Sequence, residues 1–262
     1  MPSNAEVSVV IPCFNAAASL ARAINSCLDQ REVAQVILVD DGSDDASLDV
    51  ARTIAFTDPR VKVMGTVANG GAARARNLGA LHATHPLLAF LDADDEYLPG
   101  GLARAVSTLR TTPEHHVVRL NVTFKGYPPD ILAFRGFAHH VEIMNNMITS
   151  SLVIRRTTFL ALGGFPEDDV YRQYGGEDGT FQSAIMVLFG CIRLTGTRNV
   201  CNHYHPNSHV ARYFRRMMGE LDSPPEAVQQ LGDAVHSFVA RARSAWEEHV
   251  KGTENSAPAT RS

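Results

Sequence analysis

The chain has 262 residues, of which 45% are apolar and 20% charged, with a formal net charge of -4. That length buries one large α/β core plus a small appendage, and so mild a charge argues against a protein that grips nucleic acid through its phosphates. Four widely spaced cysteines fit neither a disulfide scaffold nor a C-x-x-C zinc site, and read as reduced thiols of a cytoplasmic protein.

The opening residues, MPSNAEVSVVIPCF, lack the charged start, apolar stretch and small-residue cleavage site of a secretion signal. No apolar run approaches the roughly 18 residues that span a bilayer. The expectation is a soluble chain without a transmembrane segment, cytoplasmic or peripheral at the inner face of the membrane.

Short β-branched runs that suit buried parallel strands alternate with stretches of helical spacing through the first hundred residues. Strands are predicted at 7–11, 36–39, 61–64 and 87–91, and helices at 16–28, 45–56 and 72–82. Leu20, Ile24 and Leu28 share one face of the first helix. Asp40-Asp41-Gly42-Ser43-Asp44 is a turn whose Ser or Asp caps the second. This repeat predicts an α/β fold with a doubly wound, mostly parallel, Rossmann-like sheet, in which ligands bind beyond the carboxyl ends of the strands.

From 117 to 154 the pattern turns mixed, with Tyr127-Pro128-Pro129 interrupting it, which predicts mixed or antiparallel strands and a surface for an acceptor. Helical spacing returns at 178–188 and 225–250. We expect a catalytic domain over 1–220, divided into a nucleotide-binding half (1–101) and an acceptor-side half (102–220), then a helical segment (221–251) and a disordered tail (252–262). The stripe Leu231, Val235, Phe238, Val239, Ala242 and Trp246 is expected to pack on its own domain. A homodimer contact or a peripheral membrane contact through this helix is the alternative.

Phe90-Leu91-Asp92-Ala93-Asp94-Asp95-Glu96 sets four carboxylates directly after an apolar strand. Alternate residues of an extended segment share a side, so Asp92 and Asp94 face one ligand together. Hard carboxylate oxygens suit Mg2+ or Mn2+. The alternative is an acidic turn before a helix near Pro99.

VSVVIPCFNAAASLARAINSCLDQ, VILVDDGSDDAS, NGGAARARNLGA and AFLDADDEYLPG, in that order, resemble successive blocks of the large inverting glycosyltransferase family numbered two, whose fold is of the GT-A type. The resemblance runs from about 7 to 101, with weaker blocks to about 208. It implies that Pro12, Cys13, Phe14 and Asn15 contact a nucleotide, that Asp41 with Asp40 beside it contacts base or ribose, and that Arg76 reaches phosphate or base, Arg74 being the weaker candidate. It implies a metal held by Asp94, with Asp92 on the metal or the ribose and Ala93 between them in the donor site.

Tyr174-Gly175-Gly176-Glu177-Asp178 resembles the family's Glu-Asp motif, which makes Asp178 the expected base and Glu177 its support. Gly179 departs from the bulky residue many relatives carry there. His203-Tyr204-His205-Pro206-Asn207-Ser208 resembles a C-terminal block, with His205 as a metal or diphosphate ligand and His203 where an Arg is usual.

The function these resemblances imply is metal-dependent inverting transfer from a nucleoside-diphosphate sugar to a hydroxyl of a saccharide, lipid-linked or other acceptor. UDP is placed first, with GDP or dTDP behind it. A sugar nucleotidyltransferase is a rival, disfavoured by Pro12-Cys13-Phe14-Asn15 in place of a Gly-rich basic loop; an inactive nucleotide-sugar-binding protein is another.

Overall fold

The computed structural model describes residues 6–222 and 224–256. The first half follows the predicted alternation: β1 (Val7–Cys13), α1 (Ala17–Leu28), β2 (Val33–Asp40), α2 (Ser47–Thr57), β3 (Val61–Gly65), α3 (Ala72–His82) and β4 (Leu87–Phe90). There follow β5 (Glu96–Tyr97), α4 (Ala103–Thr111), β6 (Val117–Arg119), β7 (Val122–Lys125), α5 (Pro129–Leu132), α6 (Phe137–Met147) and β8 (Leu152–Arg155). The chain ends in α7 (Arg156–Ala161), α8 (Asp169–Tyr174), α9 (Glu177–Phe189), β9 (Ile192–Arg193), β10 (Val200–His203), α10 (His209–Met217) and α11 (Pro225–Ser256).

Seven strands form one sheet in the order β3-β2-β1-β4-β8-β6-β9, and a second sheet has the order β5-β10-β7. β1 pairs parallel with β2 and β4, while β8 runs antiparallel to β4 and β6. The strand order reverses between β1 and β4, so the crevice of a doubly wound sheet opens at their carboxyl ends. β1 carries Pro12 inside the strand without breaking the ladder, because β4 pairs with β1 only through Val10.

Both faces of the sheet are covered, which is why its strands are almost wholly apolar. Val7, Val9 and Ile11 of β1 face one cluster with Leu20 and Ile24 of α1 and Ala51 of α2. Val10 faces the other, with Ala80 of α3, Phe181 and Ile185 of α9, and Phe238 and Ala242 of α11. The stripe on α11 thus packs on its own chain: Phe238 and Ala242 are buried, and the Trp246 ring meets the Phe189 ring edge-on at 4.9 Å. Burying this stripe against α9 holds α11 in register beyond the expected end of the helix. The segment expected to be disordered from 252 begins inside α11, and residues 257–262 lie outside the described residues. Among the described residues no helix is long and apolar enough to cross a membrane.

α3 lies against β1 and β2 because residue 79 has no side chain: a Cβ there would stand 2.4 Å from Val10 Cγ1 and 3.3 Å from Val39 Cγ2. Both neighbours are β-branched and fully buried, so neither has a free rotamer to retreat into. Gly79→Val is expected to destabilise the fold by about 3 kcal/mol through overpacking. The check is a lower denaturant midpoint at unchanged slope.

Candidate active site

The turns at the carboxyl ends of β1, β2, β3 and β4 are cross-linked by side chains that hold one another's backbone. Asn15 sits at φ 50, the one non-glycine left-handed residue among the described residues, a region its short amide tolerates. Its N–H donates to Ser43 Oγ at 3.0 Å, and its Oδ1 accepts the Asp44 N–H at 3.0 Å. Asp45 does not cap a helix of its own from within. Its Oδ2 accepts the Ala17 N–H at the start of α1, and its Oδ1 accepts the Ser47 N–H at the start of α2. Hydrogen bonds, first from the Ser47 hydroxyl, hold its carboxyl below the usual carboxylate range. Phe14 stands beside them, half of its surface exposed.

Asp41 is buried, and its carboxylate is fully engaged. Oδ1 accepts from Thr66 Oγ1 at 2.9 Å and from the Gly70 N–H at 3.0 Å; Oδ2 accepts the Gly71 N–H at 2.7 Å. Asp41 therefore folds the turn between β3 and α3, leaving little acceptor capacity for a base or ribose. Its neighbour Asp40 is also buried, but Oδ1 of Asp40 has no partner.

Arg76, on α3, is 5% exposed. Its Nη2 meets Asp92 Oδ1 at 2.6 Å and its Nη1 meets Glu177 Oε1 at 3.5 Å. Burial disfavours the guanidinium charge, yet Asp92 and then Glu177 more than offset this and raise its pKa. One cation thus joins the turn after β4 to the start of α9, which are 85 residues apart in the chain by subtraction of 92 from 177.

Beyond β4 the chain alternates: Asp92 and Asp94 are half-buried, while Ala93 turns its methyl into the core. Asp95 is fully buried, accepting from Ser150 Oγ at 2.7 Å and from Asn202 Nδ2 at 2.9 Å. Ser150 Oγ in turn accepts the Asp92 N–H at 3.0 Å. Burial first, and the Asp92 charge second, raise the carboxyls of both Asp94 and Asp95; His205 and Arg22 partly relieve Asp94. Asp92 and Asp94 thus repel each other with only Arg76 paired among them. That uncompensated charge, carried on hard oxygens, fits a divalent cation of the Mg2+ or Mn2+ class. His205 is exposed and lies near enough to act on Asp94 electrostatically, but Asp92, Asp94 and His205 do not converge as a set. The three ligating groups that do lie within 4.8 Å of one another among the described residues are Glu96, Cys201 and His203. His203 Nε2 and Glu96 Oε1 are 3.0 Å apart, so the residue in the usual Arg position is occupied by this carboxylate.

Gly175 and Gly176 have φ 75 and φ 97, backbone that a side chain would strain, and they turn the chain sharply from α8 into α9. Glu177 and Asp178 consequently open α9, whose N-terminal dipole favours both charges. Burial, then the Glu177 charge, raise the Asp178 carboxyl; Arg76 pulls it back. A Cβ at Gly179 would come within 2.8 Å of Met147 Cε, the far end of a flexible side chain, so a larger residue there would need only Met147 to shift. α9 is tied to β6 and to the end of α6 by Arg119, which is 1% exposed and bonded to Gln182 Oε1 and, at 2.9 Å, to the Ile148 carbonyl.

Sequence reasoning assigned no role to Thr66, Ser150, Asn202 and Arg119. Each is a polar residue whose partner lies far away in the chain, so no local spacing marks it. A cleft of about 310 Å³ opens beside Glu177, between the start of α3, α8 and α10.

Residues 8–140 match the family model described as Glycosyl transferase family 2, and the chain belongs to that family. It is 40% identical over 102 residues to the succinoglycan biosynthesis protein ExoU of Rhizobium meliloti, covering 39% of this chain and 30% of that protein. The chain spans about a third of the length of the curated relatives it matches. Among solved structures it is similar to the mannosyltransferase PcManGT of Pyrobaculum calidifontis in complex with GDP-Man and Mn2+, with TM-score 0.63 and 20% identity, over 94% of this chain and 75% of that one. It is also similar to S. aureus TarS in complex with UDP-GlcNAc, with TM-score 0.62 and 17% identity, over 91% of this chain and 73% of that one. These likenesses establish the fold as GT-A.

Asp41→Ala is expected to lower stability by about 2–3 kcal/mol, since it strands the Gly70 and Gly71 N–H groups. Limited proteolysis between residues 66 and 71, run beside chemical denaturation, is the check.

Proposed function

Starting from membership of glycosyl transferase family 2, we propose that the chain moves a sugar from a nucleoside-diphosphate sugar to an acceptor hydroxyl with inversion. UDP is the nucleotide we place first. The supporting observation is the Arg76 bridge, which sets Glu177 and therefore Asp178 against the Asp92 turn. A single in-line displacement needs its base and leaving-group site held in a fixed relation, and the bridge from Asp92 to Glu177, next to Asp178, supports that reading.

The nucleotide lies in the crevice beyond β1 and β2, where Phe14 offers an exposed ring face for the base and Pro12 and Asn15 shape the wall. Asp41 acts through the Gly70-Gly71 turn, and the buried Asp40 beside it accepts the Ser43 N–H at 3.3 Å. Asp94 and Asp92 would hold Mn2+ or Mg2+, with the exposed His205 acting on Asp94 by charge alone. Such an ion would supply electrostatic stabilisation to the departing diphosphate. Asp178 takes the proton from the acceptor hydroxyl as its oxygen bonds to the anomeric carbon. The bond from that carbon to the diphosphate oxygen breaks on the opposite face, and the nucleoside diphosphate leaves with the electron pair. Glu177 keeps the Asp178 carboxyl raised and thus a better proton acceptor than an ordinary Asp. The four free cysteines, three of them buried, fit a reducing, cytoplasmic setting. We keep 1–220 as the catalytic unit, with α11 docked on it.

Asp178→Asn is expected to cut transfer by about 10²–10⁴-fold while donor binding, read by calorimetry with Mn2+, stays within about twofold. Transfer that survives this change would remove Asp178 from the mechanism. The base works deprotonated and its pKa lies above the ordinary 3.8, so activity falls, as pH drops, earlier than for a free Asp. Glu177→Gln removes one cause of that rise and is expected to move the acidic limb of the kcat/KM profile to lower pH.

A further inference from the structure

The cleft beside Glu177 carries an imbalance of charge that the donor reading leaves unused. Arg74, Arg172, Arg212, Arg216 and His209 line it, against Glu167, Asp168 and Glu177. Each of those acids is engaged elsewhere: Glu167 Oε1 accepts from Asn77 Nδ2 at 2.7 Å, Asp168 pairs with Arg241 at 3.2 Å, and Glu177 with Arg76. Arg172 reaches only the Asn69 carbonyl, at 3.4 Å. Arg74, Arg212 and Arg216 have no carboxylate partner among the described residues, and Arg216 Nε is buried without a hydrogen bond.

Helix geometry makes the convergence specific. His209, Arg212 and Arg216 fall on one face of α10, at spacings of three and four residues. Arg215, on another face of that helix, pairs with both Asp130 and Glu220. The paired arginine points away from the cleft and the unpaired ones point into it. On the facing wall stands the guanidinium of Arg74, in the first turn of α3, whose Gly71 N–H is already taken by Asp41 Oδ2 at 2.7 Å. While the acids of the same cleft are bonded to Asn77, Arg241 and Arg76, three guanidiniums with no carboxylate partner of their own repel one another. A lone carboxylate would neutralise one of them, whereas a phosphoryl group offers several oxygens to forked donors.

We propose that this cleft is the acceptor subsite and that it takes the phosphate or diphosphate of a phosphoryl-bearing acceptor, held by Arg74, Arg212 and Arg216 beside Glu177. The proposal rests on the glycosyltransferase reading above and adds the acceptor's chemical class to it. Glu177 stands in the wall shared by the cleft and the donor side, since its carboxylate also meets Arg76.

Binding of inorganic pyrophosphate, measured by calorimetry in the presence of a chelator so that no metal holds it at Asp94, tests the subsite. The wild type is expected to bind, and the double variant Arg212→Ala/Arg216→Ala to bind at least about tenfold more weakly. Asp94→Asn is expected to bind pyrophosphate as the wild type does. UDP with Mn2+ is expected to bind the double variant within about twofold of the wild type, which also reports that the variant is folded. Equal pyrophosphate affinity in wild type and double variant, or displacement of pyrophosphate by UDP, would overturn the proposal.

Two sources of the phosphoryl group are separated by co-sedimentation with phosphatidylcholine vesicles, with and without a polyprenyl diphosphate. Retention on the loaded vesicles alone, lost in the double variant, supports a lipid-linked acceptor. Pyrophosphate binding without vesicle retention supports a soluble one. Failure of the parent reading is distinguishable, because it appears as absent metal-dependent nucleotide release from every nucleotide sugar in the wild type, a step that does not involve Arg212 or Arg216.

Discussion

A guanidinium buried to 5% exposure needs carboxylates around it, and Arg76 finds them on two segments that the chain itself keeps far apart. Asp92 belongs to the turn after β4 and Glu177 to the first turn of α9. The bridge depends on packing several residues away. α3 lies flat on β1 and β2 because Gly79 leaves room for Val10 and Val39, and Arg76 sits three residues earlier on the same helix, so the helix position fixes where the cation points.

The surrounding turns are held in the same manner, each by a polar side chain of its neighbour. Asn15 ties the β1 turn to Ser43 and Asp44, Asp45 joins the starts of α1 and α2, and Asp41 closes the turn before α3. Ser150 stands under both Asp92 and Asp95. Such cross-linking gives a rigid crevice in which charge is left unbalanced at two places only among the residues discussed. One is the Asp92-Asp94 pair, where the excess is negative and calls for a cation. The other is the cleft on α10, where the excess is positive and calls for an anion.

The alternation of strands and helices through residue 91 was legible because each element carries its period locally. Apolar β-branched runs end at turn residues, and Leu20, Ile24 and Leu28 recur at helical spacing. The predicted helix over 72–82 coincides with α3. The acidic segment after β4 was legible as a place where charge leaves the core. Less legible was the division of labour inside it, because Asp92, Asp94 and Asp95 are equivalent as letters. Burial separates them: Asp95 is enclosed by Ser150 and Asn202, and Asp92 and Asp94 are only half-buried. Asp40 and Asp41 were likewise indistinguishable until the Gly70 and Gly71 N–H groups were seen to claim the second.

By itself the sequence determined the fold class, the order of the turns along the sheet edge and the residue types at them, since periodicity and short motifs are written in neighbouring letters. Tertiary structure alone decided which of those residues meet. Arg76 with Asp92 and Glu177, Arg119 with Gln182, and the arginines of α10 facing α3 are contacts between distant segments. Their pairing, or their lack of it, follows from how helices pack on the sheet. No spacing within a single segment records that.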